Sequence, residues 1–198
     1  MYNISVLRRR KFIVYEEKFL NIISQNAEIN EIFTILEKMH LRQATICGST
    51  IRNLVWNTLT ERHFSLKIVD IDVYYNDPSQ SYEDYLFTQE ILNQNHSLYL
   101  WNLQNIALPA RHASHIHFYD SIEKTLAGFP ETCTSIGVQR DPLKNYQIIA
   151  PYGLTDLFNL NIKPTPDYRD GQPGHQRYVQ RINNKNWADQ WPELKIEL

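Results

Sequence analysis

The stretch from Ile46 to Tyr75 constrains this chain more than any other. It opens with Ile46-Cys47-Gly48-Ser49-Thr50-Ile51-Arg52-Asn53 and continues with a helical pattern. It closes with Ile68-Val69-Asp70-Ile71-Asp72-Val73-Tyr74-Tyr75. The short run Gln43–Cys47 reads as a buried strand ending at Gly48, where glycine allows a tight turn and close backbone approach. From Thr50 to Arg62 the apolar set Ile51, Leu54, Val55, Thr58 and Leu59 marks a helix face. Ser65 to Tyr75 is rich in Ile, Val and Tyr and runs into Asn76-Asp77-Pro78, a strand followed by turn chemistry. Residues i and i+2 of a strand share a face, so Asp70 and Asp72 project together while Val69, Ile71 and Val73 project into a core.

Two carboxylates held side by side repel each other unless a cation or a proton sits between them. Mg²⁺ suits such a pair, because it is hard, takes oxygen ligands and keeps positions open for water and phosphates. Alone, the Asp-x-Asp strand reads equally as a polar face turned to water. The Gly48-Ser49 turn adds a second device. The free N–H groups and positive dipole end of the following helix suit a phosphate. Ser49 adds a hydroxyl, and Arg52, one turn on, reaches toward the same anion. Taken alone, the turn is an ordinary Ser N-cap with Arg52 a surface charge. The two devices together favour phosphate and metal chemistry.

The rest of the chain supplies supporting elements. Residues 16–39 carry apolar positions at helical spacing with a break at Gln25-Asn26. Ser81 opens a helix to about Asn93, and Ser97–Ala107 reads as a further strand ended by Pro109. Ser121 opens a short helix through Leu126. Ser135–Val138 and Gln147–Ala150 flank a long turn as a hairpin. Leu154–Leu160 reads as a short helix, and His175–Trp187 as a final one leading to Trp191-Pro192. The pattern predicts one α/β (α+β) domain over residues 1–198. Its core is a mixed sheet at about 43–107, with flanking helices, a helical N-terminal cap and a mixed C-terminal extension.

Composition removes several classes. The net charge of −2 gives no bulk case for nucleic-acid or membrane binding. No apolar run approaches the roughly 20 residues of a membrane span. Cys47 and Cys133 form no CxxC, which argues against a disulfide framework or structural zinc and points to a reducing compartment, the cytoplasm. The basic run Arg8-Arg9-Arg10-Lys11 reads as a solvated terminus.

Gly48-Ser49 followed by Asp70-Ile71-Asp72 resembles the polymerase-β nucleotidyltransferase superfamily. More narrowly, the chain is similar to a family of bacterial nucleotidyltransferase-like proteins once known only as a domain of unknown function. The later matching pieces are Trp101 with Asn105, Pro130-Glu131-Thr132, Ile136-Gly137-Val138, Ala150-Pro151-Tyr152-Gly153-Leu154 with Asp156-Leu157, then Lys185, Trp187 and Trp191-Pro192. The resemblance implies a two-Mg²⁺ nucleotidyl transfer from an NTP to an acceptor, which is a tRNA, a protein or a small molecule. In it Asp70 and Asp72 are the catalytic metal ligands, and Gly48, Ser49 and Arg52 bind the nucleotide phosphates. It also implies a third carboxylate on the strand Leu98–Asn105, where this chain has Asn102. An amide ligates a metal through its oxygen but carries no charge. The alternative is therefore a catalytically impaired nucleotide-binding or interaction protein on the same fold, unless Glu123, Glu131 or Asp156 completes the site.

Weaker signals have plainer readings. His112, His115 and His117 lack a fourth zinc ligand. Trp187 and Trp191 suit packing of the last helix better than base stacking. Tyr74 shares the face of Asp72, Tyr75 packs inward, and Cys47 acts as a small hydrophobe.

Overall fold

The computed structural model describes residues 4–41, 43–108 and 119–198, with side chains from residue 14 onward. The three histidines of the 112–117 cluster lie outside the described residues.

The N-terminal helical run is broken where Asn26 takes an extended backbone and its side chain accepts from Ile29 N–H. This divides α1 (Ile4–Gln25) from α2 (Ala27–Lys38) at the predicted break. The chain then forms β1 (Thr45–Cys47), α3 (Gly48–Leu59), β2 (Asp70–Tyr75), α4 (Tyr82–Asn95) and β3 (Leu100–Asn105). Next come α5 (Ile122–Ala127), β4 (Gly137–Arg140), β5 (Tyr146–Ile149), α6 (Thr155–Phe158) and β6 (Asn161–Ile162). The C-terminal part holds α7 (His175–Lys185), α8 (Trp187–Gln190) and β7 (Lys195–Ile196). Ser81 and Ser121 cap α4 and α5 by accepting from Asp84 and Lys124 N–H, as their positions predict.

The sheet runs β3-β2-β1-β4-β5, with β2 parallel to β3 and β1 antiparallel to both β2 and β4. This is the expected mixed sheet with flanking helices. Its apolar core joins α1, α2, α3 and the sheet to Leu157, Tyr178, Trp187 and Trp191 of the C-terminal part.

Several boundaries differ from the sequence reading. Ser65–Val69 does not join β2: Leu66–Ile68 forms a 3-10 turn. There Glu28 accepts from Ser65 Oγ and Leu66 N–H, and Ser65 Oγ accepts from Lys67 N–H, so local acceptors displace strand pairing. The strand predicted over Ser97–Ala107 is trimmed to β3. The last helix divides at Asn186, whose φ of 47° is left-handed, so Trp187 starts α8 instead of ending α7. The parallel pair of β6 and β7 was not predicted, and its two-residue strands carry too little pattern to be seen. Among the described residues no helix is long and apolar enough to cross a membrane.

Candidate active site

Alternation along β2 leaves Asp70 exposed and Asp72 half-buried, between the buried Ile71 and Val73. The Asp-x-Asp pair therefore sits on the face opposite the core, as its spacing requires. Asp72 meets the start of α3. Its Oδ2 accepts from Ser49 N–H at 3.1 Å and from Ser49 Oγ at 2.6 Å.

This contact corrects the expected cap. The helix begins at Gly48, with Cys47 in the N-cap position and no cap from its side chain. Ser49 lies inside the first turn, and a carboxylate from another strand satisfies its N–H. Gly48 has φ +61°, and a Cβ there would stand 3.1 Å from Asp72 Oδ2 and 3.3 Å from Phe129 Cε2. Thr50, fully buried, ties α3 to β2 twice. Its Oγ1 accepts from Asp72 N–H at 2.7 Å and donates to the Asp70 carbonyl at 3.1 Å.

Asn102 faces Asp72 in register on β3, and its Nδ2 donates to Asp72 Oδ1 at 2.8 Å. Gln104 Nε2 in turn donates to Asn102 Oδ1 at 3.0 Å. The position expected to hold a third carboxylate is thus beside Asp72 and occupied by an amide. None of the proposed substitutes lies on the site. Glu123 is exposed on α5. Asp156 is engaged by Lys163, Thr132 and Asn161. Glu131 is buried behind the site and accepts from Arg181.

Gly48, Ser49, Arg52, Asp72 and Asn102 line one cavity of about 610 Å³, with Tyr74 and Phe129 beside them. Asp70 is not part of that lining. Arg52 is not the surface charge that a lone N-cap reading allows, for it is only 3% exposed. Its Nη1 donates to Thr134 Oγ1, and its Nε and Nη2 donate to Asn53 Oδ1. It packs 5.2 Å from the Trp56 ring centroid and 4.6 Å from that of Trp187. Burial pulls its pKa below the ordinary arginine value, and Cys133, Glu131 and Asp72 push it back up. Tyr74 packs edge-on to Phe129, and burial pushes its hydroxyl far above the usual range. Burial likewise pushes up the Cys47 thiol, which is fully enclosed as a small apolar group.

The sequence reading missed the largest contribution. Arg177, Gln180, Arg181, Asn184 and Lys185 of α7 also line the cavity. They recur at i, i+3, i+4, i+7 and i+8, one polar face of a helix whose other face buries Tyr178 and Ile182. The spacing was available, but nothing local shows that this face turns toward residues 48–72. Trp187 and Trp191 are buried, in agreement with the packing role.

Asp72, Ser49 and Asn102 bring together oxygen donors of the kind a hard cation such as Mg²⁺ takes, while Asp70, two residues before Asp72 on β2, lies outside the cavity they line. The three hydrogen bonds on Asp72 leave part of its acceptor capacity, since a carboxylate offers about four lone-pair sites.

A family model described as Nucleotidyltransferase matches residues 34–196. No curated protein matches the chain. An NMR structure described as revealing a CCA-adding enzyme head domain is 28% identical, with TM-score 0.80, covering 91% of this chain and 95% of that one. The Thermotoga maritima CCA-adding enzyme complexed with tRNA is 15% identical, with TM-score 0.58, covering 90% of this chain. A CCA-adding enzyme in complex with CTP is 14% identical, with TM-score 0.59, covering 92% of this chain. The chain spans 42% and 43% of those two enzymes, and their likeness is one of fold.

Proposed function

The chain belongs to the nucleotidyltransferase family, and from that premise we propose that it moves an NMP from a Mg²⁺-bound NTP to an acceptor hydroxyl. The observation that carries this reading is the direct hydrogen bonding of Ser49 to the Asp72 carboxylate in the lining of the 610 Å³ cavity. It joins the carboxylate device to the helix-start device, and neither alone is specific.

In this reading Asp70 and Asp72 would hold Mg²⁺, which when bound would supply charge neutralisation for the triphosphate and the departing pyrophosphate. Gly48 lets the backbone approach the phosphates, and Ser49 offers its N–H and hydroxyl. Arg52, with Arg177, Arg181 and Lys185 of α7, adds fixed positive charge around the anionic ligand. Thr50 holds Asp72 in place through the β2 backbone. The acceptor oxygen bonds to the α-phosphorus as its hydroxyl proton passes to solvent water, the bond from that phosphorus to the β-phosphate oxygen breaks, and pyrophosphate leaves.

The acceptor class stays among tRNA, protein and small molecules. The tRNA-bound relative makes tRNA the first to test, and the CTP-bound relative makes CTP, with ATP, the first nucleotides. Two buried free cysteines support a reducing setting such as the cytoplasm. A second reading, nucleotide binding with little turnover, is favoured by the amide pair Asn102 and Gln104 beside Asp72.

Calorimetry with ATP and CTP, with and without Mg²⁺, tests the site. Metal-dependent binding that Asp72→Asn or Asp70→Asn abolishes is the expected result. Metal-independent binding unchanged in both variants refutes it. Labelled NTPs in cell extract then separate the two readings: a labelled product supports transfer, whereas metal-dependent binding without product supports the second.

A further inference from the structure

Glu131 is the one carboxylate among the described residues that is wholly buried. A charge so placed is costly unless it is paired. Its Oε1 accepts from Arg181 Nε at 2.5 Å, while its Oε2 has no hydrogen-bond partner among the described residues. The residue itself is held firmly. Its carbonyl accepts from Thr134 N–H, Ser135 N–H and Ser135 Oγ, and its backbone bridges to Pro164.

Arg181 is the half-buried partner of the pair, with a side chain 33% accessible, and it lines the candidate nucleotide cavity. Its guanidinium stands 5.5 Å from the Trp187 ring centroid, the same indole that carries Arg52 at 4.6 Å. Two guanidinium groups thus share one aromatic ring, and one of them, Arg181, holds the buried carboxylate. Glu131 takes only the Nε–H of Arg181. The two Nη groups make no hydrogen bond among the described residues, so the fork remains available to an acceptor in the cavity.

We propose that Glu131 is a positioning residue that fixes Arg181 from behind, so that the Arg181 fork engages hydrogen-bond acceptors of the bound nucleotide. The proposal rests on the nucleotidyltransferase reading of the same cavity. The acceptors are phosphate oxygens or base carbonyls, and the fork serves either. The pairing also accounts for a carboxylate standing at the edge of an anion site. Its charge is spent on Arg181 and lies behind the wall.

The test is a double-substitution cycle read by calorimetry with Mg²⁺-ATP, Mg²⁺-CTP and AMP. Arg181→Ala is expected to weaken Mg²⁺-NTP binding about tenfold or more. Glu131→Gln, which keeps size but not charge, and Glu131→Asp, which keeps charge but shortens the reach, are each expected to weaken it several-fold. In the Arg181→Ala background neither is expected to weaken it further. A loss that spares AMP assigns the fork to the β- and γ-phosphates, and a loss that differs between ATP and CTP assigns it to the base; both support positioning.

Equal effects with and without Arg181, or wild-type affinity in both Glu131 variants, overturn the proposal. So does wild-type affinity in Glu131→Asp alone, because charge and not placement would then be what matters. Thermal melting of each variant separates unfolding from a site effect, and Glu131→Asp is the fallback if Glu131→Gln does not fold. If the unsubstituted chain binds no Mg²⁺-NTP, the nucleotide reading falls and this proposal with it. If it binds and Asp72→Asn abolishes binding while the cycle is additive, only the role of Glu131 falls.

Discussion

Gly48→Ala concentrates the site's geometry into one methyl group. Two separable penalties follow from the structure. At φ +61° an L-residue brings its Cβ against its own backbone, which costs about 1–2 kcal/mol. The new Cβ would also stand 3.1 Å from Asp72 Oδ2 and 3.3 Å from Phe129 Cε2, so both neighbours must give by a few tenths of an ångström. Phe129 is buried and packed against Tyr74, which leaves the Asp72 carboxylate as the group that moves. Moving it loosens the Ser49 hydrogen bonds, and a charge-assisted bond contributes about 1.5–3 kcal/mol. With one such bond lost the expected total is about 2.5–5 kcal/mol of stability by urea unfolding, together with at least about tenfold weaker Mg²⁺-NTP binding, equivalent to about 1.4 kcal/mol. Repeating the substitution in an Asp72→Ala background isolates the part assigned to Asp72, since the backbone term and the Phe129 contact survive there. A Gly48→Ala protein with wild-type midpoint and wild-type affinity refutes the close-approach argument. An equal cost in both backgrounds refutes the part assigned to Asp72.

Thr50→Val keeps shape but removes the acceptor of Asp72 N–H and the donor to the Asp70 carbonyl. Urea unfolding should show a loss of about 1–2 kcal/mol, the cost of leaving partly buried backbone groups unpaired. Trp56→Phe strips the Leu157 carbonyl of its 3.0 Å donor, and should lower stability by about 1–3 kcal/mol by thermal or urea unfolding. Burial raises both thiols, Cys133 up to about 12. Thiolate is therefore scarce below that range, and a thiol reagent at pH 9 should label neither cysteine until denaturant is added; prompt labelling of the native chain would contradict it.

The legible parts of this chain were those where local chemistry and tertiary role agree. Asp70 and Asp72 alternate with buried Ile71 and Val73, so one strand's periodicity gave the face as well as the element. Gly48 announced a tight turn, which the chain takes at a left-handed φ with Asp72 and Phe129 close by. Ser81 and Ser121 announced helix starts that use their hydroxyls. Legibility failed where a distant group decided. Ser65–Val69 has strand composition, but Glu28 supplies acceptors that bend Leu66–Ile68 into a 3-10 turn. Arg52 reads as reaching toward an anion, but its burial against Thr134, Trp56 and Trp187 was not legible, because those partners lie elsewhere on the chain or across the fold. The α7 face carries a regular polar stripe, yet a stripe points at solvent unless the fold turns it onto a cavity. More than a hundred positions of sequence separate Asp72 from Arg181, and no local pattern spans that gap.

The contact between Asp72 and Ser49 has one more consequence, because it makes carboxylate and phosphate alternative acceptors for the same donors. With Asp72 on Ser49 N–H and Oγ, the first turn of α3 is already satisfied by an anion. An incoming phosphate must displace that carboxylate, and the displaced carboxylate repels the phosphate unless a cation stands between them. Metal and nucleotide should therefore bind as linked ligands, each weak alone. Calorimetry should give ATP in EDTA, and Mg²⁺ without nucleotide, affinities at least about tenfold below the Mg²⁺-ATP pair, or about 1.4 kcal/mol of coupling. Ser49→Ala removes the shared hydroxyl at 2.6 Å and should shrink the coupling while leaving the Asp72 bond to Ser49 N–H. If ATP binds as tightly in EDTA as in Mg²⁺, Asp72 and the phosphate do not compete, and the donors of α3 serve only to cap a helix.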